Sequence, residues 1–149
     1  MRLLVTGGAG FIGSNFVEYI LGRHDIARVI VLDALTYAGN PNNLSEDIRL
    51  DPRFLFWHGD IRDRKTVDQL VSQSDIVVHF AAETHVDNSI YNSSDFIQSD
   101  VYGTQVLLDS VNAHGIEHLI HISTSEVYGT AQANEVLMDE QHPFIGMNF

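Results

Sequence analysis

Short apolar runs alternate with longer stretches of helical period along this chain. Leu3 to Val5 forms the first run, closed by Gly7-Gly8-Ala9-Gly10, and beyond it Phe11, Ile12, Phe16, Ile20 and Leu21 recur at helical spacing. Arg28 to Leu32 is a second run, rich in Val and Ile and closed by Asp33. Asn40-Pro41-Asn42-Asn43 marks a loop or a short helix start. Phe54 to Trp57 is a third strand candidate, ended by Gly59-Asp60, after which Asp63 is placed to cap a helix carrying Val67, Leu70 and Val71. Ile76 to Phe80 predicts a fourth strand. A long helix is expected from about Asp95 to His114, with Ile97, Val101, Thr104, Leu108 and Val111 on its apolar stripe and Gly115 at its C-cap. Ile116 to Ile122 predicts a fifth strand, carrying Ser123-Thr124-Ser125-Glu126 at its C-terminal end. From Gly129 to Phe149 no period is evident, which reads as loop. Strands apolar on both faces and separated by helices imply an α/β fold. The expected architecture is one Rossmann-type domain, a doubly wound parallel sheet of about five strands.

Composition narrows the possible partners more than the fold. The 149 residues suit one domain, and 44 % hydrophobic with 19 % charged residues is ordinary for a globular chain. Twenty Asp and Glu face eight Lys and Arg, for a formal charge of -12. Binding nucleic acid or anionic lipid needs clustered cations, so neither is expected as a partner; the charge fits a protein kept soluble. With no cysteine, there is no disulfide, thiolate nucleophile or cysteine-based zinc site. The apolar start is too short for a signal sequence and no run of 18 apolar residues occurs, so the expected location is the cytoplasm.

The first strand-to-helix junction carries the clearest chemistry. Gly7, Gly10 and Gly13 have a G-x-x-G-x-x-G spacing, with Phe11 and Ile12 opening the helix and Asp33 lying 20 residues past Gly13. Glycines there permit a tight turn and let backbone N–H groups approach a pyrophosphate at the helix N-terminus. Asp33 at the end of the second strand is placed to accept from the adenosine ribose hydroxyls, and a carboxylate there repels a 2′-phosphate. The cofactor expected is therefore NAD rather than NADP. Asp60 and Ile61 follow the third strand where the adenine edge would lie, although Asp60 reads almost as well as a turn residue. Ala81 and Ala82, after the fourth strand, are small enough for a cofactor to lie close.

Several further stretches carry a resemblance: Leu35-Thr36-Tyr37-Ala38-Gly39-Asn40, His58-Gly59-Asp60-Ile61-Arg62-Asp63, Ala81-Ala82-Glu83-Thr84-His85-Val86-Asp87 and Ser123-Thr124-Ser125-Glu126-Val127-Tyr128-Gly129. With the glycine motif, they make the chain resemble the extended short-chain dehydrogenase/reductase family, and within it the nucleotide-sugar 4,6-dehydratases. The resemblance implies a redox-neutral lyase reaction on a nucleotide-linked hexose, a dTDP-hexose above others. NAD would take a hydride from C4, a base would remove the C5 proton, water would leave from C6, and the hydride would return to C6. By position, Thr124 matches the residue that hydrogen-bonds the C4 oxygen, and Glu126 matches the C5 base. Glu83 and His85 fall in the loop assigned to the cofactor and sugar pocket. Family members are commonly homodimers through a helix bundle, for which the helix from Asp95 is the candidate face. Without the other motifs, Thr124 and Glu126 would read as no more than the end of a strand.

This chain departs from that family pattern at three points. The dTDP-glucose enzymes usually have Asp, as the acid for the leaving hydroxyl, where this chain has Ser125. The GDP-mannose dehydratases and UDP-glucuronate decarboxylases carry a similar Ser-Glu pair, so decarboxylation or epimerisation stays open as an alternative reaction, although a simple epimerase needs no C5 base. Asp100 stands where the family usually has Asn, and a buried Asp needs a partner or a proton. No Tyr-x-x-x-Lys motif follows Asp139-Glu140-Gln141-His142-Pro143 before Phe149. The expectation is therefore that 1–149 is the NAD-binding domain alone, inactive without a catalytic and substrate-binding remainder; a standalone NAD-binding module is the alternative. Metal binding is weighed and set aside: His118 and His121 should face opposite sides of a strand, and Glu83, His85 and Asp87 align only if extended. His24, His114 and His142 are expected at the surface, and Tyr128 in local packing.

Overall fold

The structure, a computed structural model, describes residues 1–85, 93–129 and 138–144. The element order is β1 (Arg2–Thr6), α1 (Phe11–Leu21), β2 (Arg28–Asp33), a 3-10 turn (Pro41–Asn43), α2 (Glu46–Leu50), β3 (Phe54–His58), α3 (Arg64–Val71) and β4 (Ile76–His79). There follow α4 (Ser93–Phe96), a π-helical segment (Ile97–Gly103), α5 (Thr104–Ala113), β5 (His118–His121) and a 3-10 turn (Ser125–Tyr128). The five strands form one sheet in the order β3-β2-β1-β4-β5, with every pair parallel. This is the doubly wound arrangement expected from the alternation of runs.

The two-residue period of the strands sorts the core into two layers. Leu3, Val5, Val29, Val31 and Val78 face Val17 and Leu21 of α1 and Ile48 of α2. Leu4, Ile30, Leu32 and Val77 face Val67, Leu70 and Val71 of α3 and Val106, Leu107 and Val111 of α5. Each fully buried Val or Leu contributes about 1.5–3 kcal/mol, so both layers matter to stability. Asp63 caps α3 as expected, accepting from Lys65 N at 3.1 Å and from the Thr66 hydroxyl at 2.7 Å. Gly115 adopts φ +64°, the left-handed conformation expected beyond a helix end.

Two stripes differ from expectation. On the 93–113 helical stretch the buried positions are Gly103, Val106, Leu107, Ser110 and Val111, whereas Ile97, Val101 and Leu108 are exposed. The apolar positions permit two stripes one residue apart, and the stripe containing small residues wins because it allows close approach. A Cβ on Gly103 would lie 2.6 Å from Ile61 Cδ1. The π-helical segment adds to the shift by rotating Ile97 and Val101 against the α-helical period. In α1 the buried stripe is Gly13, Ser14, Val17 and Leu21, leaving Phe11 and Ile12 exposed beside the glycine loop. The fifth strand is shorter than 116–122. It lies at the sheet edge, with Ile120 and, just beyond it, Ile122 exposed.

Candidate cofactor cleft

In a parallel sheet all strands end on one side, and here β1 leads to α1 on one face and β4 to the helix on the other. The crevice at this reversal of strand order, between β1 and β4, is where such sheets place ligands. The glycine loop fills its floor. Gly7 takes φ +71°, donates to Leu32 O at 2.9 Å and lies so close to β4 that a Cβ would be 2.6 Å from Ala81 N. Gly13 packs under the same loop, where a Cβ would sit 2.2 Å from Gly7 O. Gly10 differs: it has φ -73° and ψ 172°, which any residue adopts, and a Cβ would meet only Gly7 O, at 3.3 Å. Internal packing therefore does not demand a glycine at 10, whereas close approach of a ligand would. The first α1 bond runs from Ser14 N to Gly10 O, so the amides of Phe11, Ile12 and Gly13 precede it, and α1 has no side-chain cap and no acidic residue in its first turn. These features suit a diphosphate.

Asp33, 7 % exposed, braces this loop: its Oδ2 accepts from Ala9 N at 2.9 Å and its Oδ1 from Leu35 N at 2.8 Å. Each oxygen keeps a second lone pair for a ribose hydroxyl. The loop after β2 closes on the other side, with Asn40 N and Asn43 Nδ2 both donating to Ala9 O, at 3.0 and 2.8 Å. Asp60 sits at the end of β3 as a turn residue, accepting from Arg62 N at 2.8 Å and pairing with the Arg62 guanidinium at 2.6 Å. Burial works against its ionisation, but these Arg62 bonds outweigh it and hold the carboxyl below its usual range. The turn role is therefore observed. Ile61 is buried against Gly103, so its side chain belongs to the core, while Ala81 and Ala82 line the β4 exit.

On the β4 side of the cleft, Glu83 N donates to Asp100 Oδ1 at 2.8 Å, which supplies the partner Asp100 needs; Asp100 is half-buried rather than buried. Burial raises the pKa of both carboxyls: at Glu83 a Tyr37 hydrogen bond opposes it, and at Asp100 the Glu83 amide does. His85 is exposed, its ring edge-on to Tyr37 at 5.4 Å. Asp87, weighed with them for a metal, lies outside the described residues. Thr124, Ser125 and Glu126 all stand exposed at the end of β5, where Thr124 Oγ1 accepts from Glu126 N at 3.3 Å and keeps its own proton to donate. Tyr128 packs locally, against His142 and Phe144, and His142 is half-buried rather than on the surface.

Sequence reasoning missed His79. It is 2 % exposed, with Nδ1 2.6 Å from Thr6 Oγ1 and Nε2 3.0 Å from Thr104 Oγ1, so one neutral ring links β1, β4 and α5. A His inside an otherwise apolar strand is the only signal the sequence offers for it. Burial, and next the facing His121 at 4.9 Å, depress its pKa to about 4. The unfolded value is about 6.5, so as pH falls from 6.5 towards 4 the unfolded chain takes a proton that the native chain refuses. Stability should fall by up to about 3 kcal/mol across that window. Denaturant midpoints from pH 7 to 4.5 should drop in the wild type and stay nearly flat in His79→Gln; equal slopes would refute this account.

A family model described as GDP-mannose 4,6 dehydratase matches residues 4–148. A low-salt glycan biosynthesis protein of Haloferax volcanii is 49 % identical over 140 residues, which cover 94 % of this chain and 44 % of that protein. A dTDP-glucose 4,6-dehydratase of Mycobacterium tuberculosis is 50 % identical over 135 residues, covering 91 % and 40 %. Among solved structures, the dTDP-glucose 4,6-dehydratase DesIV of Streptomyces venezuelae, with NAD and TYD bound, superposes with a TM-score of 0.91 at 47 % identity, covering 98 % of this chain and 46 % of that one. The chain thus spans less than half the length of these relatives.

Proposed function

This chain belongs to the GDP-mannose 4,6-dehydratase family, within the extended short-chain dehydrogenase/reductases, and on that premise we propose that residues 1–149 form the NAD-binding part of a nucleotide-sugar 4,6-dehydratase, a lyase acting on a dTDP-hexose. The observation that carries the cofactor reading is the bare Gly10 Cα above the uncapped start of α1, at the reversal of strand order. The family description supports the dehydratase reaction class. Relatives called dTDP-glucose 4,6-dehydratases, at 46–50 % identity, favour the dTDP-hexose.

When bound, NAD would supply a hydride acceptor that returns what it takes, leaving no net redox change. The chain's own residues then divide the remaining work. The α1 amides and Gly10 receive the diphosphate, and Asp33 receives the ribose hydroxyls. Thr124 donates to the C4 oxygen and holds it as it becomes a carbonyl, while the C4 hydroxyl proton passes to the tyrosine of the family's Tyr-x-x-x-Lys motif. Glu126 removes the C5 proton that this carbonyl has made acidic. Ser125, at the position of the usual acid, is a poor proton donor at neutral pH, so in this reading Glu126 also returns its proton to the leaving C6 hydroxyl. Glu83 and His85 contact the sugar.

No helix among the described residues is long and apolar enough to cross a membrane. The exposed Ile97, Val101 and Leu108 support a homodimer through the 93–113 helix, and a chain without cysteine suits the cytoplasm. The test is to extract the purified protein with acid and assay the nucleotide released. About one NAD per chain is expected, with NADP absent; a protein that neither carries NAD nor binds it on titration would overturn the proposal.

A further inference from the structure

The loop after β2 and the loop after β4 leave the sheet on opposite sides of β1, and one side chain joins them. The Tyr37 hydroxyl oxygen accepts from Thr84 N and from His85 N, both at 3.1 Å, and the same hydroxyl favours the charged form of the Glu83 carboxyl. A phenol oxygen has two lone pairs to fill, and here both are spent on consecutive backbone amides. The His85 ring lies edge-on to the Tyr37 ring, adding a fourth contact. Core packing does not account for this tyrosine, because it is 52 % exposed in a loop of small and polar residues. Its bonds instead run across the end of β1, over the side on which the glycine loop backs onto Ala81.

We propose that Tyr37 is a positioning residue: its hydroxyl clasps the β2 loop to residues 83–85 across the cofactor cleft, retaining the dinucleotide and aiming Glu83 at the sugar. The inference rests on the NAD-dehydratase reading and adds a residue to it. A clasp suits that chemistry, since a cofactor that gives back its hydride must outlast each turnover. Removing one hydroxyl removes a net hydrogen bond or slightly more, which corresponds to roughly tenfold in a dissociation rate. Glu83 is surrounded by Asp100 and Asp95 from the helix, which oppose its ionisation, and by Arg62 from the β3–α3 loop, which favours it. The Tyr37 bond also favours the charged form, so its loss should move the Glu83 titration upward.

The test compares wild type with Tyr37→Phe, in the full-length protein, by three measurements. NAD dissociation, followed by stopped-flow displacement, should be about tenfold faster in the variant. The carboxyl carbon of Glu83, titrated by NMR, should shift at a higher pH in the variant. Amide exchange at Thr84 and His85 should be protected in the wild type and faster in the variant, and the wild-type half of this measurement stands even if the variant folds poorly. Unprotected wild-type amides, or a folded variant with an unchanged Glu83 titration and NAD off-rate, overturn the clasp. A wild type that holds no NAD overturns the cofactor reading instead, while amide exchange and the Glu83 titration still judge the contact itself.

Discussion

Gly13→Ala is expected to cost about 3 kcal/mol of stability, whereas Gly10→Ala should leave the fold nearly untouched and abolish tight NAD binding. The two glycines belong to one motif but meet different surroundings. At Gly13 the new Cβ would sit 2.2 Å from Gly7 O and 2.9 Å from Gly8 Cα, both backbone atoms of a loop that is itself pinned to β2 and β4. Nothing there can yield without moving the loop, and in a domain of this size 3 kcal/mol lowers the melting temperature by about 10 °C. At Gly10 the nearest atom is 3.3 Å away and the backbone is ordinary, so the methyl should cost under about 1 kcal/mol. That methyl would occupy the space a diphosphate needs in order to reach the amides, and a loss of at least about 100-fold in NAD affinity follows if two such bonds are lost. Thermal melts of the apo variants and NAD titration separate the two effects. Equal melting temperatures for the two variants would show that the motif is not divided in this way.

The sequence made legible what depends on period and on local chemistry. Alternation in runs such as Leu3-Leu4-Val5 told of a sheet covered on both faces, and the glycines with Asp33 told where its ligand end lies. What it concealed depends on which neighbour arrives in space. The choice between two helical stripes was decided by how closely Gly103 approaches Ile61, a residue 42 positions away, and no local pattern records that distance. The turn role of Asp60 depends on Arg62, two residues on, whose guanidinium takes up its carboxylate. His79 and Tyr37 were hidden for a related reason: each acts through partners remote in sequence, Thr6 and Thr104 for one, residues 83–85 for the other. The roles of Thr124, Ser125 and Glu126 were read by resemblance alone, and the structure adds their position at a strand end and a turn held by Thr124.

Asp33→Ala should destabilise the protein by about 4 kcal/mol before any cofactor is considered, with the melting temperature falling by roughly 10–15 °C. In nucleotide-binding sheets a carboxylate at this point is read as a ribose ligand, yet here it also holds the fold together. Its two oxygens each take a backbone amide, and removing them leaves the Ala9 and Leu35 N–H groups without their acceptor. Charge-assisted bonds of this kind are worth about 1.5–3 kcal/mol each, and one of the two is buried. Asp33→Asn sharpens the test. A carboxamide has one accepting oxygen, so its NH2 must confront one of the two amide donors, and a loss of about 2–3 kcal/mol is expected even though size is unchanged. Lengthening is no remedy either, because the space beside Oδ1 is so tight that a Cβ at Gly39 would come within 2.6 Å of it. If Asp33 served the ribose alone, Asp33→Asn would melt like the wild type without NAD and differ only in affinity. The brace predicts a difference in the apo protein, and calorimetry of both variants without NAD decides between the two.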